Sequence, residues 1–268
     1  MSTTRIVTLL SDFGNSDEYV GVMKGVIIAH CRSALPVDIC HQLPPQDIGA
    51  AAAMLAASFP FFPRQSIHLA VVDPGVGTAR NILVLQTTEH WFIAPDNGLL
   101  TPVLQAGNLM HCYAVTPEKQ HAAGATFHGR DIMAPLAGKL ASGRTATELA
   151  REISVKQCVV LTPPAVEMGS ELITGEIVGI DHFGNLRTSI AAAHIKALGS
   201  NVEVSVDGRT IGALHTTYGA VQEGALVALI DSRGTLEIAK NRGSAAAHLG
   251  CRIGDPVIVR LLSGNGTQ

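Results

Sequence analysis

The first ~160 residues repeat one pattern: a short apolar run, a polar or Gly-bearing turn, then a longer segment with apolar positions at three- and four-residue spacing. The pattern predicts strands over residues 6–10, 37–40, 66–72, 82–85 and 91–94, and helices over 17–30, 47–58, 98–105 and 132–141. In the first helix Val20, Val22, Met23, Val26 and Ile27 form a broad apolar face. Asp47 starts the second helix, and Phe59, Pro60 and Pro63 end it. Strands alternating with helices predict an α/β domain built on a central, mostly parallel sheet. In such sheets the loops at the carboxyl ends of the strands line the ligand crevice. Asp12, Asp73, Asp96 and His128 are placed on these loops.

The pattern changes at Thr162, Pro163 and Pro164, which read as a linker. Beyond it the runs 173–180, 202–206, 225–230, 236–239 and 256–262 are short, β-branched and separated by Gly or Asp turns. They predict a small all-β barrel or sandwich. The expected domains are therefore 1–162, α/β and catalytic, and 163–268, all-β and completing the substrate site.

At 268 residues the chain can bury a substantial core in one large or two modest domains. A net charge of −3 supplies no basic field for phosphates, which argues against a nucleic-acid partner and suits a small zwitterionic or cationic substrate. Five cysteines (Cys31, Cys40, Cys112, Cys158 and Cys251) show no metal-ligand spacing and read as reduced thiols. The opening MSTTRIVTLLSDFG passes from a short apolar run into an acidic loop and reads as a first strand, not a secretion signal. No apolar stretch approaches the ~18 residues of a membrane span. A cytoplasmic protein without a membrane partner is expected. The Asn265-Gly266-Thr267 sequon carries no weight in that setting.

Several common site motifs are missing. Gly75-Val76-Gly77 does not complete a dinucleotide fingerprint, because Arg80 occupies the third glycine position and the loop joins two strands. There is no Walker A, HExxH, GxSxG or zinc spacing.

The candidate chemistry lies elsewhere. Asp73 and Arg80 fall in VVDPGVGTAR, and His128 in TFHGRD. A carboxylate, a guanidinium and an imidazole on two Gly-containing loops can take a proton from water and hold the resulting hydroxide without a metal. Taken singly, each has an ordinary role as a turn cap, a surface ion pair or a helix-start residue. Asp12, after a strand in Ser-Asp-Phe-Gly, can accept both hydroxyls of a ribose or merely cap a loop. Asp96-Asn97-Gly98 reads as a strand end, turn and helix start.

Read in order, LLSDFG (9–14), VVDPGVGTAR, APDNGLL (94–100), TFHGRD, IDHFGNLRTSI (180–190) and DSRGTLEIAKNRGSAA (231–246) run nearly the length of the chain. Together they resemble the S-adenosyl-L-methionine hydroxide adenosyltransferases, relatives of the fluorinase and chlorinase. The resemblance implies hydrolysis of S-adenosyl-L-methionine to adenosine and L-methionine, with Asp73, Arg80 and His128 catalytic and neither cofactor nor metal required. It further assigns Asp12 to the ribose, Phe183 to stacking on adenine and Asn185 to the adenine edge. Asp181 would meet the methionine ammonium, and Ser232 and Arg233 its carboxylate, where guanidinium geometry suits a bidentate contact. It also implies a homotrimer whose ligands lie between the first domain of one subunit and the second domain of its neighbour.

Three rival functions are distinguishable. A halogenase on the same substrate is disfavoured because the halogenating relatives do not keep the Asp, Arg and His set. A non-catalytic sensor would need Asp12, Asp181, Asn185 and Arg233 but not Arg80 and His128. A metal phosphoesterase would use Asp12, Asp73, His128 and Asp131 as ligands.

Overall fold

The computed structural model describes residues 5–117 and 126–262; the sequon lies outside them. The chain divides into two compact units, Met1–Leu161 and Thr162–Gln268.

The first unit carries β1 (Ile6–Ser11), α1 (Tyr19–His30), β2 (Leu35–Cys40), α2 (Ile48–Ser58), β3 (Ile67–Val71), β4 (Ile82–Thr87), β5 (Trp91–Pro95), α3 (Thr101–Gln105), β6 (Leu109–Val115), α4 (Ala134–Ala141), α5 (Ala146–Leu149) and β7 (Arg151–Glu152). Its sheet has the order β2-β1-β3-β5-β4-β6-β7. β2, β1, β3 and β5 pair in parallel, whereas β4 is antiparallel to both β5 and β6. β6 therefore points the same way as β5, and only β4 and the short β7 run against the rest.

Both faces of this sheet are covered, so its central strands are apolar on both sides. Val7, Leu9, Ile67, Leu69, Ile82 and Val84 pack towards Met23 and Ile27 of α1 and Leu136, Ala137 and Leu140 of α4. On the other face Leu10, Ala70, Val72, Leu83 and Phe92 meet Ala51 and Leu55 of α2. α1 and α4 approach closely at Gly138, where an added Cβ would lie 2.7 Å from His30 Cβ and 2.8 Å from the Ile27 carbonyl oxygen.

Two helix starts differ from the sequence expectation. The third helix begins at Thr101 instead of residue 98, because Gly98 adopts φ +98° and its carbonyl accepts a 2.6 Å hydrogen bond from Thr101 Oγ1. The last long helix is preceded by a π-helical turn, Gly129–Met133, so that His128 caps a wide turn instead of lying on a free loop. Such turns are frequent at functional sites. Asp47 behaves as expected, its carboxylate accepting the Ala50 N–H at 2.8 Å at the start of α2.

The second unit contains β8 (Glu167–Met168), β9 (Leu172–Ile180), β10 (Leu186–Ala191), α6 (Ala192–Leu198), β11 (Val202–Val206), β12 (Arg209–His215), β13 (Leu226–Ile230), β14 (Thr235–Lys240), α7 (Ala245–Leu249) and β15 (Pro256–Leu261). The strand order is β10-β14-β13-β12-β11-β15-β9-β8, and the additional β9–β10 pairing closes the first seven into a barrel. Closure removes the open edges that a sandwich would leave. Inward positions alternate along each strand: Ile173 and Ile177, Leu186 and Ile190, Val202, Val204 and Val206, Val257 and Val259. The five cysteines are unbridged, with Cys31, Cys112 and Cys251 buried.

Candidate active site

Parallel strands in one sheet end on the same side, so β1, β3 and β5 deliver the residues that follow them to one rim. Asp12 follows β1, Asp73 lies two residues beyond β3, and His128 stands at the mouth of the π-helical turn. Asp12, Asp73 and His128 line one cavity of about 690 Å³, together with Phe13, Tyr19, Val22, Phe127 and Arg130.

The Asp73–Arg80 loop folds back on itself. The Val76 N–H bonds to the Asp73 carbonyl at 3.2 Å, and Thr78 Oγ1 donates to the Gly75 carbonyl at 2.7 Å. Arg80 thereby returns to Asp73. Its Nε donates to Asp73 Oδ1 at 2.6 Å and its Nη2 to Asp73 Oδ2, forming a bidentate pair whose side chains are only 11% and 6% exposed. Nη2 also donates to His128 Nδ1 at 3.1 Å, and Nη1 to the Asn81 carbonyl at 3.2 Å.

That contact assigns the imidazole tautomer. A guanidinium has no acceptor, so His128 Nδ1 must accept and the ring proton of the neutral form resides on Nε2. Burial, and then the Arg80 cation, lower the His128 pKa, while Asp73 and Asp131 pull it the other way. The result is a neutral ring fixed beside a fixed cation.

Asp12 is held differently. Its Oδ2 accepts the Gln46 N–H at 2.8 Å, from a residue in the left-handed region at φ 65°. Oδ1 carries no hydrogen bond from any described residue, and Asp12 lines the cavity. Next to it stand three aromatic rings absent from the sequence expectation. Phe13 and Tyr19 are 5.7 Å apart, Phe13 and Phe127 5.7 Å, and Tyr19 and Phe127 5.3 Å. They supply an apolar wall of the kind that binds flat or sulfur-bearing ligands.

Asp96 does not line this cavity. Its carboxylate accepts the Val159 N–H at 2.8 Å, and burial raises its pKa. It fastens the segment that leads to the unit boundary.

The barrel carries a second cavity, about 420 Å³, lined by Asp181, Arg187, Tyr218, Asp231, Ser232, Arg233 and Glu237, with Thr216, Thr217, Leu229 and Ile230. Asp181, Ser232 and Arg233 are thus brought together as the sequence suggested. Asp181 caps its own turn: Oδ1 accepts the Phe183 and Asn185 N–H groups at 2.9 Å each, and Oδ2 accepts Asn185 Nδ2 at 3.2 Å. Asp231 builds the matching turn, accepting the Arg233 and Thr235 N–H groups at 2.9 Å. Arg187 and Arg233 form no ion pair with a described residue. Burial and the neighbouring Arg187 cation lower the Arg233 pKa. Phe183, 74% exposed, and buried Asn185 share the Asp181 loop but line neither cavity. The Asn185 amide nitrogen is committed to Asp181, leaving its oxygen for any further contact.

Among the described residues no group of three or more His, Cys, Asp and Glu side chains is placed to hold a metal ion. Asp12, Asp73, His128 and Asp131 therefore do not form the phosphoesterase ligand set. No helix in the described residues is long and apolar enough to cross a membrane.

Residues 7–150 match the SAM hydroxide adenosyltransferase N-terminal domain and residues 175–258 the C-terminal domain of the same family. The chain is 40% identical over 263 residues to an (R)-S-adenosyl-L-methionine hydrolase of Thermus thermophilus, covering 94% of this chain and 98% of that one. It is 34% identical to an (R)-S-adenosyl-L-methionine hydrolase of Salinispora tropica, covering 95% and 97%. A fluorinase of Actinopolyspora mzabensis is 28% identical, covering 90% and 92%. An uncharacterized conserved protein from Thermotoga maritima has the same fold, with a TM-score of 0.87, 32% identity and coverage of 95% and 99%. With both family domains matched in order along a two-unit chain, the protein belongs to the SAM hydroxide adenosyltransferase family.

Proposed function

We propose that the protein hydrolyses S-adenosyl-L-methionine to adenosine and L-methionine by attack of water on the ribose 5′ carbon. The observation that carries the chemistry is the buried Asp73–Arg80–His128 constellation, in which Asp73 and His128 line the cavity that also presents Asp12 and Arg80 stands behind them.

The substrate needs no general acid, since the sulfonium leaves as a neutral thioether. The demand falls on the nucleophile. A hydroxide-like oxygen approaching a sulfonium cancels charge in the transition state, so a pocket that excludes water favours reaction once the two are in line. Arg80, permanently cationic and held by Asp73, stabilises the developing anion. His128, donating through Nε2–H, orients the water, and Asp73 takes up its proton. Asp12 Oδ1 receives the ribose hydroxyls, and Phe13, Tyr19 and Phe127 supply the apolar wall.

In the barrel, Asp181 pairs with the α-ammonium, and Ser232 with Arg233 takes the α-carboxylate; Phe183 and the Asn185 oxygen serve the adenine. A homotrimer places the first unit of one subunit and the second unit of its neighbour around each ligand. No cofactor participates.

The test is chromatography of the purified protein with S-adenosyl-L-methionine, EDTA and added chloride. Adenosine and methionine in the presence of EDTA support this function. Release of 5′-chloro-5′-deoxyadenosine would make the protein a halogenase, and tight binding without turnover a sensor.

A further inference from the structure

β2 carries one extra residue against β1: Leu9 pairs with Asp38 but Leu10 with Cys40, so Ile39 is passed over. The irregularity brings His41, the first residue beyond β2, beside Ser11 at the end of β1. Ser11 Oγ and His41 Nδ1 are 2.7 Å apart, and His41 Nε2 lies 3.0 Å from Asp38 Oδ1. Lys24 Nζ donates to the other Asp38 oxygen at 2.6 Å. Burial works to raise the Asp38 pKa, but the bonds from Lys24 and His41 outweigh it and lower the value. Ionised Asp38 can only accept, so His41 Nε2 carries the hydrogen, and in the neutral ring Nδ1 accepts the Ser11 hydroxyl.

A serine, a histidine and an aspartate in line suggest a nucleophile, but the setting does not allow one. Ser11 is 2% exposed and His41 5%, and neither lines the cavity that Asp12 faces. The relay acts instead on the residues that follow Ser11. With its hydrogen given to His41, Ser11 Oγ offers a lone pair to the Phe13 N–H at 3.4 Å. The Gly14 N–H donates to the His41 carbonyl at 2.7 Å, and the Gln46 N–H to Asp12 Oδ2 at 2.8 Å. Residues 41–46 thus hold the 11–14 loop at three points, two of them on His41. Between those two points stand Asp12 and Phe13, which both line the cavity.

We propose that His41 is a positioning residue: anchored by Asp38 and acting through Ser11, its ring fixes the Asp12–Phe13 peptide so that the Asp12 carboxylate meets the ribose hydroxyls of the ligand. Asp12 needs such help, because the Gln46 N–H is the one hydrogen bond its carboxylate receives from the described residues, and the attitude of its backbone decides where the other oxygen points. A hydrogen bond weakens steeply as its angle departs from linear, so a loose loop loses the contact without losing the residue. The carbonyl contact to Gly14 survives any substitution at position 41. Replacing the ring therefore removes only the Ser11 bond and its Asp38 anchor.

This inference rests on the proposed function for the ligand of Asp12, but its test requires no turnover. Adenosine and 2′,3′-dideoxyadenosine, which differ only in the two ribose hydroxyls, are titrated calorimetrically into the full-length protein. The intact protein should favour adenosine by about 10- to 100-fold, the range of a hydrogen bond to a charged group. His41→Ala should cut that preference to less than about 3-fold by weakening adenosine alone. His41→Asn, whose amide oxygen can stand where Nδ1 does, should recover most of it, whereas His41→Gln, which reaches Asp38 but not Ser11, should not. In Asp12→Ala, where the preference is already lost, adding His41→Ala should change neither affinity further. Ser11→Ala removes the same contact with one buried oxygen and reads it if His41→Ala fails to fold. A preference kept when the contact is removed, equal weakening of both nucleosides, Asn no better than Gln, or a further loss in the Asp12→Ala background would overturn the role of His41 and leave the proposed reaction standing. No preference in the intact protein, or no binding of either nucleoside, would overturn the Asp12 assignment and this inference with it. Absence of hydrolysis alongside an intact, His41-dependent preference would overturn the reaction and leave the positioning role standing.

Discussion

Arg80 Nη2 donates to His128 Nδ1 at 3.1 Å while the same guanidinium grips both oxygens of Asp73. One cation thereby sets the position of the carboxylate and the tautomer of the imidazole. The three residues act as one unit, and their removal should be strongly non-additive.

Arg80→Ala should lower kcat by about 10²- to 10³-fold, the usual effect of removing a preorganised charge from a developing oxyanion. His128→Ala should lower it by about 10²-fold, and the double variant little further than Arg80→Ala alone. Steady-state kinetics on the three proteins checks this. Multiplicative losses would mean that the residues work separately.

The acid limb of activity should lie below the ordinary histidine value of ~6.5, because burial and the Arg80 cation hold His128 neutral to lower pH. The sign follows from the direction of the shift: the functional neutral ring is present above its lowered pKa and is lost as pH falls through it. Replacing Arg80 by Gln removes one lowering influence, so the limb should move up towards ~6.5. A pH profile of kcat/KM in both proteins reads the change; an unmoved limb would exclude His128 as the titrating group.

A second histidine reports on stability. His68 is fully buried, accepts or shares a 2.8 Å hydrogen bond with Thr8 Oγ1, and is packed against Phe59, Phe62 and Phe92. Burial, and then His90, lower its pKa to about 3. The folded state therefore favours the neutral ring. That contribution is complete above ~6.5, the unfolded value, and is lost as pH falls towards about 3, at up to ~1.4 kcal/mol per pH unit. His68→Phe should cost about 1–3 kcal/mol near neutrality, because Thr8 loses its partner, and should flatten the dependence on acid. Urea unfolding at neutral and acidic pH checks both effects.

Gly138→Ala should destabilise the first unit by about 1–3 kcal/mol, since the new methyl meets His30 Cβ and the Ile27 carbonyl and must push α1 away from α4. A lowered Tm is the expected readout. An unchanged Tm would mean that the two helices separate without cost.

Much of this was legible in the chain. Alternation in Val202–Val206 and the Asp47 cap fixed local structure because period and capping act within a few residues. Asp12 and Asp73 share one rim because the parallel strands β1 and β3 end together, and His128 meets them there from the π-helical turn. The contacts that define the chemistry were not legible, since the loop that returns Arg80 to Asp73 and the π-helical turn at His128 depend on tertiary packing. Phe13, Tyr19 and Phe127 converge from three elements that no local pattern joins. β10 carries the IDHFGNLRTSI segment into the barrel wall, and a motif read as a ligand loop concealed a strand.

Reaction in 18O-labelled water is the most direct test of the central claim. Attack of water at the ribose 5′ carbon should place one 18O atom in the 5′ hydroxyl of adenosine and none in methionine, with the incorporation lost when Arg80 is replaced. Unlabelled adenosine, or label in the amino-acid product, would contradict hydroxide transfer to the adenosyl group at the Asp73–Arg80–His128 site.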